Sequence, residues 1–250
     1  MDTVSGRPPH SFLRAALVRE RLIVIAALAL VIVVAGAAMI RTGDALMTGR
    51  YGWLAYGLLV FVMWWTMMLA MMLPSAAPAG LTFAAIDRKL GGGGRMGQFA
   101  LGYVLVWTAF SAGAALLHLG FNQIVPFTGM MAVKSRTAGG LVLIAAGFYQ
   151  MTPLKGACLR KCQAPLFWLG RNWRTGSLGA LRMGLRHGLY CVGCCAVLMA
   201  VLFYGGVMEL DWILGLALYV LAEKVLPPRI PLRFASGAIL ALWGFALVWW

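Results

Sequence analysis

An all-α, polytopic bundle of about seven transmembrane helices is predicted from three observations. Hydrophobic residues make up 62% of the 250 and charged residues only 11%, against roughly 25% charged in soluble domains. Apolar runs of membrane-spanning length recur along the chain. At roughly 20 apolar residues per span plus connections, the length accommodates six to eight of them. The basic residues, finally, fall on alternate connections.

The first run is Leu22 to Ile40. Arg14, Arg19 and Arg21 precede it and no small-x-small cleavage site stands out, so it reads as an uncleaved helix and not a signal peptide. The second span is Trp53 to Leu73, expected to close at Pro74 because proline breaks the helical ladder. A polar link, Asp87-Arg88-Lys89-Leu90, and the run Gly91 to Gly94 follow. With no Lys-Ser/Thr after it, the glycine run is a flexible linker and not a phosphate loop. The third span is Phe99 to Phe121. The fourth, Ala138 to Thr152, stops at Pro153. A basic segment from Lys155 to Arg186 follows, with an interfacial helix expected around Leu166 to Trp168. The fifth span is Gly188 to Tyr204, the sixth Trp212 to Ala222, and the seventh Phe234 to Trp250. No internal repeat is evident, and residues 1–250 form a single integral membrane domain.

The positive-inside rule tests this layout independently. With the N-terminus in and the C-terminus out, only Arg41, Arg50, Lys134 and Arg136 lie outside, and the other 17 of the 21 Lys and Arg lie inside. Segments 1–21 and 155–186 are then cytoplasmic, and the location is a bacterial inner membrane crossed several times. The net charge of +14 is thereby topological, meeting anionic inner-leaflet lipid. No basic patch interleaved with exposed aromatics accompanies it, so nucleic acid is not a partner. Nor is there a Ser-His-Asp set, a carboxylate pair or a His-Glu-x-x-His site, and hydrolytic catalysis has no support.

The five cysteines all lie between positions 158 and 195. Cys158 and Cys162 are spaced i, i+4 and share a face if helical. His187, Cys191, Cys195 and Met199 form a second stripe at intervals of four, with Cys194 beside it. In the layout above both sets sit at the cytoplasmic ends of adjacent helices, where facing each other would bring three or four thiols within metal-binding range. Cysteine is also a small, readily buried residue; confinement to two helically spaced sets favours a shared site. Structural disulfides are not expected in a reducing cytosol.

The second span adds Met63, Met67, Met68, Met71 and Met72, in neighbouring rows 63-67-71 and 68-72. Such a stripe on a helix is usually packing. Five thioethers in ten residues is dense, however, and this helix runs from outside to inside, so Met71 and Met72 arrive at the level of the cysteines. Thioethers and thiolates together select Cu(I) over hard cations. Zn²⁺ suits the cysteines alone. His118 reads as a hydrogen-bonded packing residue, and Glu223 and Lys224 as a pair at the edge of the sixth span.

Three strings in order resemble the signatures of a bacterial family of predicted metal-binding integral membrane proteins, domain of unknown function 2182. They are Met63-Trp-Trp-Thr-Met-Met-Leu-Ala-Met-Met-Leu-Pro-Ser75; Tyr149-Gln-Met-Thr-Pro-Leu-Lys-Gly-Ala-Cys158 followed by Cys162; and Gly188-Leu-Tyr-Cys-Val-Gly-Cys-Cys195 with Leu198-Met199. Glu223-Lys224 matches the family's acidic-basic pair. The resemblance covers roughly positions 50 to 230, with no departure at the motif positions. It implies metal binding through the motif Met and Cys residues and His187, and no settled activity.

The leading expectation is therefore Cu(I) handling, as a transporter, a chaperone that loads a cuproenzyme, or a sensor, with a metallochaperone or cuproenzyme as partner. Two rivals stand beside it. Cys191-Val-Gly-Cys194 is a Cys-x-x-Cys and would suit a transmembrane thiol–disulfide relay. The 10 Trp and 31 Gly would equally suit a structural subunit of a membrane complex.

Overall fold

The computed structural model describes residues 30, 33–34, 36–46, 49, 51–124, 132–226 and 232–249. Segment 1–21 and most of the first span, Leu22 to Ile40, lie outside them; residues 36–46 are helical. From Trp53 onward the described chain forms nine helices: α1 Trp53–Lys89, α2 Met96–Ile124, α3 Arg136–Met151, α4 Pro153–Gln163, α5 Pro165–Arg171, α6 Gly176–Met199, α7 Leu202–Gly205, α8 Leu210–Val225 and α9 Leu232–Trp249. Four are long and apolar enough to cross a membrane: α1, α2 over Met96–Phe121, α6 with α7 as Gly176–Gly205, and α9. Helices α3 and α8 have 16 residues each, about 24 Å of helix, and fall short of that length.

The second span does not close at Pro74. α1 runs for 37 residues through both Pro74 and Pro78, about 55 Å of helix. A proline inside an apolar helix is tolerated where side chains and neighbouring helices bond the local backbone. Here Ser75 Oγ donates to the Met72 carbonyl at 2.9 Å, Thr82 Oγ1 to the Pro78 carbonyl at 2.7 Å, and Tyr103 OH on α2 to the Met72 carbonyl at 3.0 Å. The expected link is shortened accordingly: Asp87 to Lys89 form the last turn of α1. The glycine loop after them is clamped by Asp87, which pairs with the Arg95 guanidinium at 2.6 Å and accepts its backbone N–H at 3.1 Å. Gly91 and Gly94 take positive φ angles of 70° and 77°, which glycine alone adopts without strain.

Most of the basic segment is helical. α4 and α5 each start on a proline, at 153 and 165, a residue suited to the first helical turn. A short helix, α5, forms where one was expected, with Leu166 and Phe167 exposed and Trp168 buried. α6 begins at Gly176, twelve residues before the expected start of the fifth span, and carries Arg182 and Arg186 exposed on its first turns.

Cross-helix contacts fix the directions. α1 is antiparallel to α2, with Met72 against Tyr103 and Phe83 stacked on Phe99. It is also antiparallel to α6, with Met72 against Cys195 and Trp64 against Phe203 just beyond the helix. α2 and α6 run parallel at glycine-to-backbone distance, since a Cβ on Gly102 would stand 2.7 Å from the Leu185 nitrogen and one on Gly188 2.9 Å from Val106 Cβ. α3 and α9 are antiparallel and equally close: a Cβ on Gly147 would stand 2.6 Å from the Gly237 carbonyl, and one on Gly244 2.6 Å from that of Gly140. Small residues let helices approach this far, where backbones rather than side chains meet.

Candidate metal centre

The helical rows bring the sulfur together as the spacing predicts. Met63, Met67, Met68, Met71, Met72 and Met199 share one buried cluster with Cys162, Cys191, Cys194 and Cys195. Cys158 packs against it, half-buried. All five cysteines are free. The antiparallel register of α1 and α6 carries the methionines along the cysteine helix: Met72 meets Cys195, and Met199 stands at the level of Met68. Met63 is nine residues from Met72, about 14 Å along the axis, so the thioethers form a file leading away from the thiols.

The closest sulfur pair is Cys195 Sγ and Met72 Sδ, 3.8 Å apart. An ion bonded to both at about 2.3 Å, the length of a zinc–thiolate bond, would subtend an angle of about 110°. Cys191 is one turn below Cys195 on the same face. Its Sγ lies 3.2 Å from Tyr103 OH and 3.0 Å from Lys224 Nζ. Cys194, between them in sequence, has its thiol beside that of Cys162 on α4 and beside those of Cys191 and Cys195. The Cys194 and Cys195 thiols also donate to the Cys191 carbonyl, at 3.1 and 2.8 Å. Cys158 reaches the same helix: a Cβ on Gly193 would stand 2.8 Å from its Sγ, and Tyr149 OH donates to the Gly193 carbonyl. Among the described residues no group of three or more His, Cys, Asp or Glu side chains is placed to hold an ion by itself.

His187 is buried two per cent exposed, one turn before Cys191. The rings of Phe99, Tyr103 and Trp168 surround it at centroid distances of 5.8 to 6.0 Å, and its Nδ1 has no hydrogen-bond partner among the described residues. It borders the sulfur cluster through Tyr103. His118 is buried beside the Phe203 ring, 6.0 Å away. A cavity of about 380 Å³ between α6, α8 and α9 is lined by Leu198, Trp212, Tyr219 and Leu240, and no thiol lines it.

Two corrections concern position and charge. The cysteines of α6 do not open their helix; Cys191 lies 15 residues, about 22 Å, into a helix that starts at Gly176. Glu223 and Lys224 do not pair with each other at an edge. Both are buried, and each bonds to different partners. Glu223 pairs with Lys155 at 2.7 Å and accepts from Tyr219 OH at 3.2 Å. Gln150 Nε2 in turn donates to Tyr219 OH at 2.8 Å and to Ser236 Oγ at 3.0 Å. Lys224 donates to Ser75 Oγ at 2.8 Å and to Cys191 Sγ. Buried charges of this kind are retained only when paired or bonded.

Sequence reasoning thus missed Lys224, Ser75, Tyr103 and Lys155 as members of the site's surroundings. A signal existed for Lys224, because an ionisable residue within an apolar helix is functional by default. Ser75 and Lys155 also stand inside the first two motif strings. Tyr103 carried no sequence signal.

Residues 61–247 match the family model described as PpoB2, copper chaperone, and the chain belongs to that family. No curated protein and no solved structure matches it. The match bears out the metal expectation carried by the motifs and narrows it to copper, under a family name other than the one expected.

Proposed function

We propose, from membership of a copper chaperone family, that this protein binds Cu(I) as cargo within a bacterial inner membrane and delivers it to a cuproenzyme. The observation that carries the reading is the single buried cluster in which the Met file of α1 meets the thiols of α6 and α4. In this reading Cys191 and Cys195 with Met72 hold the ion. Cys162 and Cys194 form a neighbouring thiol pair, and half-buried Cys158 is the most accessible ligand. His187 borders the thiol face. Met71, Met68, Met67, Met63 and Met199 pass the ion along by exchange of one soft ligand for the next. Thioethers are poor ligands for zinc, and the lack of a three-ligand set of His, Cys, Asp or Glu among the described residues argues in the same direction.

The membrane layout belongs to the same proposal. Helices α1, α2, α3, α6, α8 and α9 alternate in direction, as spans two to seven of a seven-span protein would. Arg88, Lys89, Arg95, Arg160, Lys161, Arg171, Arg174 and Arg233 gather at one end of the bundle and Arg136 starts α3 at the other, which supports N-in, C-out by the positive-inside rule. The test is anaerobic copper loading of the purified protein, with X-ray absorption to count sulfur ligands. Wild type should bind Cu(I) through sulfur alone, and Cys191→Ser/Cys194→Ser should lose most of it. Equal stoichiometry in the two proteins would sink the assignment.

A further inference from the structure

The bend from α4 into α5 encloses a cavity of about 540 Å³ that neither a carboxylate nor a thiol lines. Arg160 and Lys161 bound it from α4 and Arg171 from α5. None of the three pairs with a carboxylate among the described residues; the buried carboxylates Asp87 and Glu223 are taken by Arg95 and Lys155. Aromatic rings place two of the cations without cancelling their charge. The Lys161 ammonium lies 3.9 Å from the centre of the Tyr190 ring, and the Arg171 guanidinium 5.5 Å from that of Phe167. The neutral amides of the lining are engaged elsewhere: Gln163 donates to the Glu223 carbonyl at 2.8 Å and Asn172 to that of Trp168 at 2.9 Å. Two guanidiniums, charged at every physiological pH, therefore line this cavity with an ammonium and no counter-charge.

We propose that this cavity seats the phosphate of an anionic phospholipid, with Arg160, Lys161 and Arg171 as its ligands and the acyl chains laid along α5. This rests on the membrane layout proposed above, which puts α4 and α5 at the cytoplasmic interface. Basic pockets at that level recognise anionic headgroups, and a guanidinium matches the geometry of a phosphate with two hydrogen bonds at once. Two observations favour a lipid over a free anion. At about 30 Å³ for each water, the cavity has room for a headgroup and not just one ion. Its rim, moreover, is apolar: Phe167, which lines it, is 67% exposed, and Leu166 beside it in sequence is exposed as well. A small anion satisfies the charge and leaves this rim bare, whereas a phospholipid covers the rim and supplies the charge in one molecule. The same rim disfavours a soluble acidic protein, whose charged face would have to desolvate against it.

The experiment titrates the full-length protein in detergent with dioleoyl phosphatidylglycerol and with dioleoyl phosphatidylcholine, and counts retained lipid by native mass spectrometry. Wild type should hold one phosphatidylglycerol at least about tenfold more tightly than phosphatidylcholine, since each cation near the surface is worth about fivefold. Arg160→Gln/Arg171→Gln, two exposed side chains whose loss circular dichroism should show to leave the helices intact, should bring the two lipids within about threefold of each other. Arg88→Gln/Lys89→Gln removes the same charge at the end of α1 and should leave the preference in place. A wild type without preference, or a preference that survives Arg160→Gln/Arg171→Gln, overturns the proposal. Displacement of the lipid by an equal concentration of inorganic phosphate assigns the cavity to a free anion, and displacement by hexaglutamate assigns it to an acidic partner; either overturns the lipid. Carbonate washing of membranes tests the parent layout separately. A chain released by it loses the layout and the lipid site together, whereas a retained chain with no headgroup preference loses the site alone.

Discussion

The two halves of the bundle solve helix packing in opposite ways. Between α1 and α6 the space is filled by long, polarisable side chains, Met68, Met72, Cys195 and Met199. Between α3 and α9 glycines thin it, so that Gly140 and Gly147 meet Gly244 and Gly237 backbone to backbone. Thioethers have three rotatable bonds and adapt to what lies beside them; a glycine contact has no side chain that can move. The first interface can admit an ion and repack, whereas the second is a fixed wall. Lys155, Glu223, Tyr219, Gln150 and Ser236 form the polar seam that joins them.

Breaking the seam should have the largest effect. Glu223→Gln leaves the Lys155 ammonium buried without its carboxylate, and losses of about 3–5 kcal/mol follow from such a change. Thermal unfolding followed by tryptophan fluorescence should show it, and an unchanged midpoint would mean that the pair is not buried in the membrane. Next comes the rigid wall. Gly147→Ala puts a methyl against the Gly237 carbonyl, and overpacking costs about 1–3 kcal/mol, with copper stoichiometry in the folded fraction unchanged. On the adaptable side the same measurement should separate fold from cargo. Met72→Leu conserves volume and should cost less than about 1.5 kcal/mol, yet weaken Cu(I) binding at least tenfold. Met63→Leu, about 14 Å along the helix, should change affinity far less. Equal losses in both would remove Met72 from its place beside Cys195. Smallest, saturating Cu(I) should raise the unfolding midpoint of wild type, by linkage to a ligand bound only in the folded state. Met72→Leu should show a reduced rise at the same copper concentration.

How much of this was legible in the sequence differs between the two halves. The Met rows and the Cys stripe are local, and helical spacing alone puts each on one face. Trp53 to Leu73 read correctly as apolar, but Pro74 read as a stop. The bonds of Ser75, Thr82 and Tyr103 around it belong to tertiary structure, and a propensity rule does not contain them. The depth of Cys191 was hidden for a similar reason: Arg182 and Arg186 looked like loop residues, although an exposed face of a continuing helix holds them as well. Glu223 and Lys224 are adjacent, so pairing was the local guess; in a helix successive side chains point about 100° apart, and each found a distant partner. Seven apolar runs were visible, while the glycine wall of α3 and α9 needed coordinates, because Gly140 and Gly244 are 104 positions apart.

The tether between Lys224 and Cys191 also orders events during synthesis. A ribosome adds about 5–20 residues per second, so the Met file of α1 is made first, the thiols of α4 and α6 follow, and the Lys224 ammonium is made after all of them. Until α8 has joined α6, Cys191 lacks its bond to the Lys224 ammonium, and a nascent chain released before residue 224 carries all five cysteines without it. The Lys224–Cys191 bond is thus among the last contacts of the site to form, in the closing turn of α8.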